Sequence, residues 1–363
     1  MRILFFIDLL GSGGAQRQMV NVAIELKKLD INISFLVYYP DAFYESILAE
    51  NNIEIHLIHE TRPIPRIFKI RKYIRNGAFD VVVSFLETPN LIAELAGFPG
   101  RKWKLLVGER SSNPKITNSF KLKFLRYMHQ FSDAIVANSE TNLEMIKKIS
   151  PFISSNKFHT IYNMVDLEIW KPSEDYIVRK NGKTNIIIAA SHQYLKNSKN
   201  LIEALNVLSD REKMSLSIKW YGAKSTDNSY TESKLLIDFY NLNEVIEFLP
   251  PTNNIAEKIK SADCCALFSF YEGLPNVICE GMALAKPIIA TCVSDVPKIV
   301  DEGFGGFLCV TPTAVSIVEV IRKIQQCSNN QLIAMGKHNR ERAKFLFDKK
   351  KIVNSYLKIL QNV

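Results

Sequence analysis

A chain of 363 residues, 47% of them apolar, is long enough for two ordinary domains and can fill two cores. It contains no run of 18 or more apolar residues, which excludes an ordinary membrane-spanning helix. The net charge of +9 is uneven: Arg62 to Arg126 holds 14 Lys and Arg against 4 Asp and Glu, an excess that points to an anionic partner such as a membrane surface or a phosphorylated substrate. No zinc-finger spacing or RNA-binding pattern accompanies that charge, so nucleic acid is not expected as a partner.

The start, "MRILFFIDLLGSGG", superficially suggests a leader. Asp8 interrupts its apolar run and no small-residue cleavage site follows cleanly, so it reads as a buried first strand of a cytoplasmic protein. Further strands are expected at Ile33–Tyr38, Ile53–Leu57, Val81–Phe85, Lys104–Val107 and Ala134–Ala137, with helices beginning near Gly14, Pro65, Pro89, Phe120 and Glu140. The polar stretch from Lys171 to Asn185 resembles a linker. Beyond it the series restarts, with strands in "TNIIIAAS", "SLSIKWYG", "EVIEFL", "DCCALFS", "KPIIAT" and "GGFLCV". This alternation predicts an α/β protein with two Rossmann-like parallel-sheet domains facing across a cleft. The expected domains are 1–168 and 169–345, with 346–363 a helix packing back on the first domain. Ligands of such sheets bind at the carboxyl ends of strands, so the loops leaving strands are where chemistry is sought.

In the loop after the first strand, Gly11, Gly13 and Gly14 let the backbone approach an anion, and the next helix offers its amino end. Gln16 stands where the third glycine of a dinucleotide fingerprint belongs, and a plain tight turn is the competing reading. Glu87 in "SFLETPN", and Glu109 with Arg110 in "LVGERSSNP", leave strand ends and are candidate ligand contacts; a local ion pair shaping the loop accounts equally for Glu109 and Arg110. Lys196 lies between a strand and a helix, placed to meet a phosphate, with solvation as its alternative.

The stretch "FSFYEGLPNVICEGMALAKPII" sets Glu272 before a turn and Glu280 about one turn into a helix beginning near Asn276. The carboxylates are then on the order of 10 Å apart, beyond the roughly 5–9.5 Å of an acid–base pair on one glycosidic bond. That separation suits two ends of one long ligand. A solvated glutamate beside a helix-face glutamate is the competing reading. The six cysteines lack paired CxxC spacing and read as free buried thiols, and the six histidines form no cluster. No Asp-x-Asp occurs, so no metal and no cofactor are expected.

"SFYEGLPNVICEGMALAKPIIAT" resembles the E-x7-E segment of family-four retaining glycosyltransferases, which have the GT-B fold and use nucleotide-sugar donors. "GSGGAQR", "DAIVANSE", "IYNMVDLEIWKP" and "LKNSKNLIEAL" are similar to other segments of that family, in the family's order. The resemblance implies that Glu280 binds the donor ribose and that Glu272 and Lys196 are catalytic. Glu272 would face the transferred sugar and Lys196 the diphosphate. It further implies that Gly273, Leu274, Pro275 and Asn276 hold sugar and diphosphate, with Gly13 and Gly14 on the donor side. Arg17 matches the family's arginine, although Gln16 replaces the acidic residue usual before it; Glu87, Glu109, Arg110 and Arg17 are the acceptor-side candidates. The family's arginine five positions before Lys196 is Ser191 here, so His192 or another basic residue substitutes, or phosphate binding is weaker. The family's histidine near Glu109 is missing.

Taken together, the resemblance implies a metal-independent transfer from a nucleotide-sugar, a UDP-sugar first among them. The acceptor would be a glycan or lipid-linked sugar of bacterial surface polysaccharide such as O-antigen or capsule. "RPIPRIFKIRKYIR" and "FKLKFLRYMHQF" interleave cations with large apolar residues and are expected to hold the protein peripherally on the inner membrane face. A nucleotide-sugar epimerase on the same fold and a catalytically silent membrane-associated partner subunit are the alternatives.

Overall fold

The Val-Val-Val-Ser-Phe run of Val81–Phe85 is buried along its whole length, as a strand covered on both faces must be. A computed structural model describes residues 1–362, and among them such runs form two parallel sheets, each in its own unit. Unit 1 comprises Met1–Met164 and the last helix, Lys349–Asn362; unit 2 is Val165–Asp348.

Unit 1 holds β1 (Arg2–Phe6), β2 (Asn32–Val37), β3 (Glu54–Leu57), β4 (Val81–Phe85), β5 (Lys104–Glu109), β6 (Ala134–Ala137) and β7 (Phe158–Thr160), in the order β3-β2-β1-β4-β5-β6-β7. Alternation along β1 sends Ile3 and Phe5 to one core and Leu4 and Phe6 to the other. The first core also takes Met19 and Val20 from the Gly14–Lys27 helix and Ile352, Val353 and Tyr356 from the last helix. The second takes Ile70 and Ile74 from the Pro63–Asn76 helix and Ile92 and Ala93 from the Glu87–Ala96 helix. β7 was not expected from sequence. It is three residues long, polar at His159 and Thr160, and half-buried at the sheet edge, so it carries little periodicity.

In unit 2, β8 (Thr184–Ala189), β9 (Leu216–Tyr221), β10 (Ile246–Leu249), β11 (Cys264–Leu267), β12 (Ile288–Thr291) and β13 (Gly306–Cys309) run β10-β9-β8-β11-β12-β13. Both sheets therefore reverse direction of growth once, between β1 and β4 and between β8 and β11. Those two crevices are the topological switch points where open α/β sheets bind ligands.

Much of the basic segment is engaged inside unit 1. Arg66 lies 4.5 Å over the Tyr38 ring and donates to Tyr39 Oη at 2.8 Å. Arg71 donates to Leu95 O and Ala96 O, and Arg75 to Ala96 O, so both satisfy the carbonyl end of the Glu87–Ala96 helix. Among the described residues, no helix is long and apolar enough to cross a membrane, and no group of three or more His, Cys, Asp or Glu is placed to hold a metal ion.

Candidate active site

In unit 2 the turn after β8 runs through Tyr194–Lys196 and reaches Asn197 at φ +63°, a left-handed conformation that asparagine tolerates better than most residues. The Asn197 amide donates to Phe268 O at 3.0 Å and Pro312 O at 2.9 Å, pinning this turn to the end of β11. Phe270 N donates to Leu195 O at 2.9 Å from the other side. Lys196 Nζ consequently lies 2.5 Å from Glu272 Oε1, at the switch point between β8 and β11. Ser269 Oγ donates to the same carboxylate oxygen at 2.6 Å, and Thr291 Oγ1 donates to Ser269 O at 2.7 Å. The two ionic side chains are only 15% and 13% exposed, so water screens them weakly.

Beyond Glu272 the Ser294 hydroxyl donates to Gly273 O and Leu274 is buried, which fixes the turn. Pro275, in extended conformation, caps the helix Asn276–Ala283. Glu280 lies on that helix and is buried. At Gly281 a Cβ would stand 2.9 Å from Cys265 Cβ, so glycine lets the helix approach β11 closely. A cation, a carboxylate and the positive end of a helix thus meet at one crevice, a set suited to a ligand with anionic and hydroxyl parts.

His192 sits four residues before Lys196 with its ring centroid 4.4 Å from that of Phe248, 5.1 Å from Tyr230 and 5.3 Å from Trp220. Burial, then the neighbouring Lys224 charge, lower its pKa to about 4, so it is neutral at pH 7. A neutral, enclosed imidazole is not the cation that Ser191 fails to supply.

In unit 1, Gly13 precedes the Gly14–Lys27 helix with no side-chain cap, which leaves Gly14 and Arg17 on its first turn at the β1–β4 switch point. Gln18 clasps Met164 in both directions, at 3.1 and 2.8 Å. Glu87 is the first residue of its helix, directly after β4, and its side chain is 41% exposed. Glu109, the last residue of β5, is buried against His129 Nε2 at 2.9 Å and Arg126 at 3.0 Å. Arg110 lies 3.8 Å over the Phe85 ring and donates to Tyr356 Oη at 2.8 Å.

Sequence reasoning missed Glu94, Arg126 and His129, which complete the surroundings of Glu109. A signal was present: Arg126 and His129 fall four and seven residues after Leu122, on the inward stripe of the Phe120–Met128 helix and the turn after it. Charge on an inward stripe calls for a buried partner. Asn197 was also missed, because its partners at Phe268 and Pro312 are distant in sequence.

The model of Glycosyltransferase Family 4 matches residues 12–169, and that of Glycosyl transferases group 1 matches residues 172–342. The chain is a family-4 glycosyltransferase. It is 26% identical to an N-acetylgalactosamine-N,N'-diacetylbacillosaminyl-diphospho-undecaprenol 4-alpha-N-acetylgalactosaminyltransferase of Campylobacter jejuni, with 98% of each chain covered. It is also 26% identical to the putative glycosyltransferase EpsF of Bacillus subtilis, over 84% of this chain and 82% of that one. Among solved structures, the Anabaena HepE protein in complex with UDP-glucose superimposes with a TM-score of 0.88 over all of both chains, at 17% identity. That likeness shows the fold, and with two sheets in Rossmann order the glycosyltransferase is GT-B. Its Lys196–Glu272 pair stands at the switch point of the unit matched by the group 1 model.

Proposed function

We propose that this glycosyltransferase moves a sugar from a UDP-sugar to a sugar on a diphosphate-linked lipid carrier in bacterial surface-polysaccharide assembly, with retention of anomeric configuration. The Lys196–Glu272 pair beside the Asn276–Ala283 helix carries the reading. Breaking the anomeric C–O bond leaves its electron pair on the departing phosphate oxygen. Lys196 Nζ and the first amides of that helix take up this charge. The acceptor hydroxyl attacks from the same face, and its proton passes to the departing phosphate. Glu272 orients the sugar and stabilises positive charge at the anomeric carbon, while Glu280 holds the ribose hydroxyls. The Gly273–Asn276 turn borders the donor, and Arg17 serves the acceptor.

Similar proteins support the substrates: HepE forms complexes with UDP and with UDP-glucose, and the Campylobacter relative is an N-acetylgalactosaminyltransferase named for a diphospho-undecaprenol glycan. The test is turnover of UDP-glucose, UDP-N-acetylglucosamine and UDP-N-acetylgalactosamine with an undecaprenyl-diphosphate-linked N-acetylhexosamine, the product anomer being read by NMR. An inverted product overturns the mechanism. Glu280→Ala is expected to raise the donor KM about tenfold or more with little change in kcat, the mark of lost uniform binding. An unchanged donor KM removes Glu280 from the ribose.

A lipid acceptor calls for contact with the bilayer. Ile64 and Phe68, one turn apart on the Pro63–Asn76 helix, are 69% and 65% exposed; Phe120 and Phe124 on the Phe120–Met128 helix are 82% and 46% exposed. Arg62, Lys69, Lys72, Lys115 and Lys121 stand exposed beside them. Apolar tips among cations are the pattern of a surface that lies on anionic lipid. The double variant Phe120→Ser, Phe124→Ser is expected to weaken binding to phosphatidylglycerol vesicles about tenfold or more, by sedimentation. Equal binding removes this helix from the membrane face.

A further inference from the structure

Four buried charged side chains form a continuous chain in unit 1. His129 Nδ1 meets Glu94 Oε1 at 2.6 Å and its Nε2 meets Glu109 Oε1 at 2.9 Å. Arg126 donates from one terminal nitrogen to Glu109 Oε2 at 3.0 Å and from the other to Glu87 Oε1 at 2.8 Å. Glu94, His129, Glu109 and Arg126 are all buried, and only Glu87, at the end of the chain, reaches solvent. Its Oε2 has no partner among the described residues.

We propose that Arg126 is a positioning residue that presents the free oxygen of Glu87 to a hydroxyl of the acceptor sugar. Three observations converge on this. The first is place: Glu87 opens the helix that follows β4, so it borders the β1–β4 switch point together with the glycine-rich turn after β1. The second is backbone strain: Leu86, just before it, has φ +77° and ψ 157°, a conformation close to glycine-only that persists where the surroundings impose it. The third is the energetics of the chain. Apolar side chains of similar volume would stabilise this interior as well or better than buried ions. What ions add is direction. A planar guanidinium held by Glu109 on one side fixes the orientation of Glu87 on the other, which a lysine, with one rotatable ammonium, does not. A carboxylate with one oxygen held and one open is a hydrogen-bond acceptor of fixed aim, suited to a neutral sugar hydroxyl.

This inference rests on the lipid-linked sugar acceptor proposed above. The experiment measures donor and acceptor KM of the full chain with UDP-N-acetylgalactosamine and undecaprenyl-diphosphate-linked N-acetylgalactosamine, for wild type, Glu87→Gln and Arg126→Lys. Glu87→Gln leaves the buried Arg126–Glu109 pair in place. It is expected to raise acceptor KM at least tenfold, with donor KM and the thermal shift induced by UDP unchanged. Arg126→Lys is expected to raise acceptor KM in the same sense. If it fails to fold, Glu87→Gln decides alone. Unchanged acceptor KM in Glu87→Gln overturns the inference while leaving the proposed reaction intact. Absence of transfer by wild type overturns the proposed reaction and this inference with it.

Discussion

Lys196→Ala is expected to lower kcat about 100- to 1,000-fold, with a smaller effect on donor KM. The departing diphosphate gains negative charge only as the glycosidic bond breaks, so a cation aimed at it acts mainly on the transition state. Two features of the site sharpen the expectation. Lys196 is held by the pinned turn after β8, and its ammonium already contacts Glu272 at 2.5 Å, so the group is oriented before the donor arrives. His192, the basic residue between β8 and Lys196, is neutral and enclosed by Trp220, Tyr230 and Phe248, and does not take over. Lys196→Arg is expected to recover only part of the loss, because its longer planar head cannot occupy the same point beside Glu272 Oε1. Steady-state turnover of UDP-sugar, followed by release of UDP, provides the measurement. Full activity in Lys196→Ala removes it from the diphosphate.

The second large effect concerns stability and its pH dependence. His129→Ala leaves Glu94 and Glu109 buried without their shared partner, and loss of about 3–5 kcal/mol is expected. Burial alone would lower the His129 pKa. The Glu94 charge and the hydrogen bonds to both carboxylates outweigh it and raise the value to about 9. Folding therefore takes up a proton near neutral pH. The stabilisation is complete below the unfolded histidine pKa of about 6.5 and is lost as pH rises through about 9, a change on the order of 3 kcal/mol at most. Burial raises the Glu94 pKa, and His129 reverses only part of that rise, so a proton shared across the Nδ1–Oε1 contact gives the same sign whichever atom carries it. Glu109 acts at the other end. Its burial is outweighed by Arg126, so its pKa is lowered and its contribution is lost as pH falls. Wild type is expected to lose Tm between about pH 6.5 and 9, and His129→Ala to show a flatter alkaline limb over that range. Parallel limbs for the two proteins would show that the proton is held elsewhere.

The strands were legible because fully buried parallel strands leave dense apolar runs; all six of unit 2, from "TNIIIAAS" to "GGFLCV", are strands in the structure. The first two helix starts after the basic segment opens lie two residues earlier than expected, at Pro63 and Glu87. A proline is tolerated throughout the first turn, so it marks a helix start only to within a few residues. The basic character of Arg62 to Arg126 was legible as well, but its meaning was not. Charge composition does not distinguish Lys121, which faces water, from Arg71, which closes a helix end, or Arg126, which is buried between two carboxylates.

By itself the sequence determined two parallel-sheet units and a set of polar residues at strand ends, because burial and period are local properties written along the chain. Tertiary structure decided which of those residues meet. Strand order brings β8 beside β11 and β1 beside β4, so Lys196 reaches Glu272 across 76 positions, while Arg126 reaches Glu87 across 39. Hydrogen bonds and ion pairs act over a few ångströms of space, and only the packed sheets set that distance.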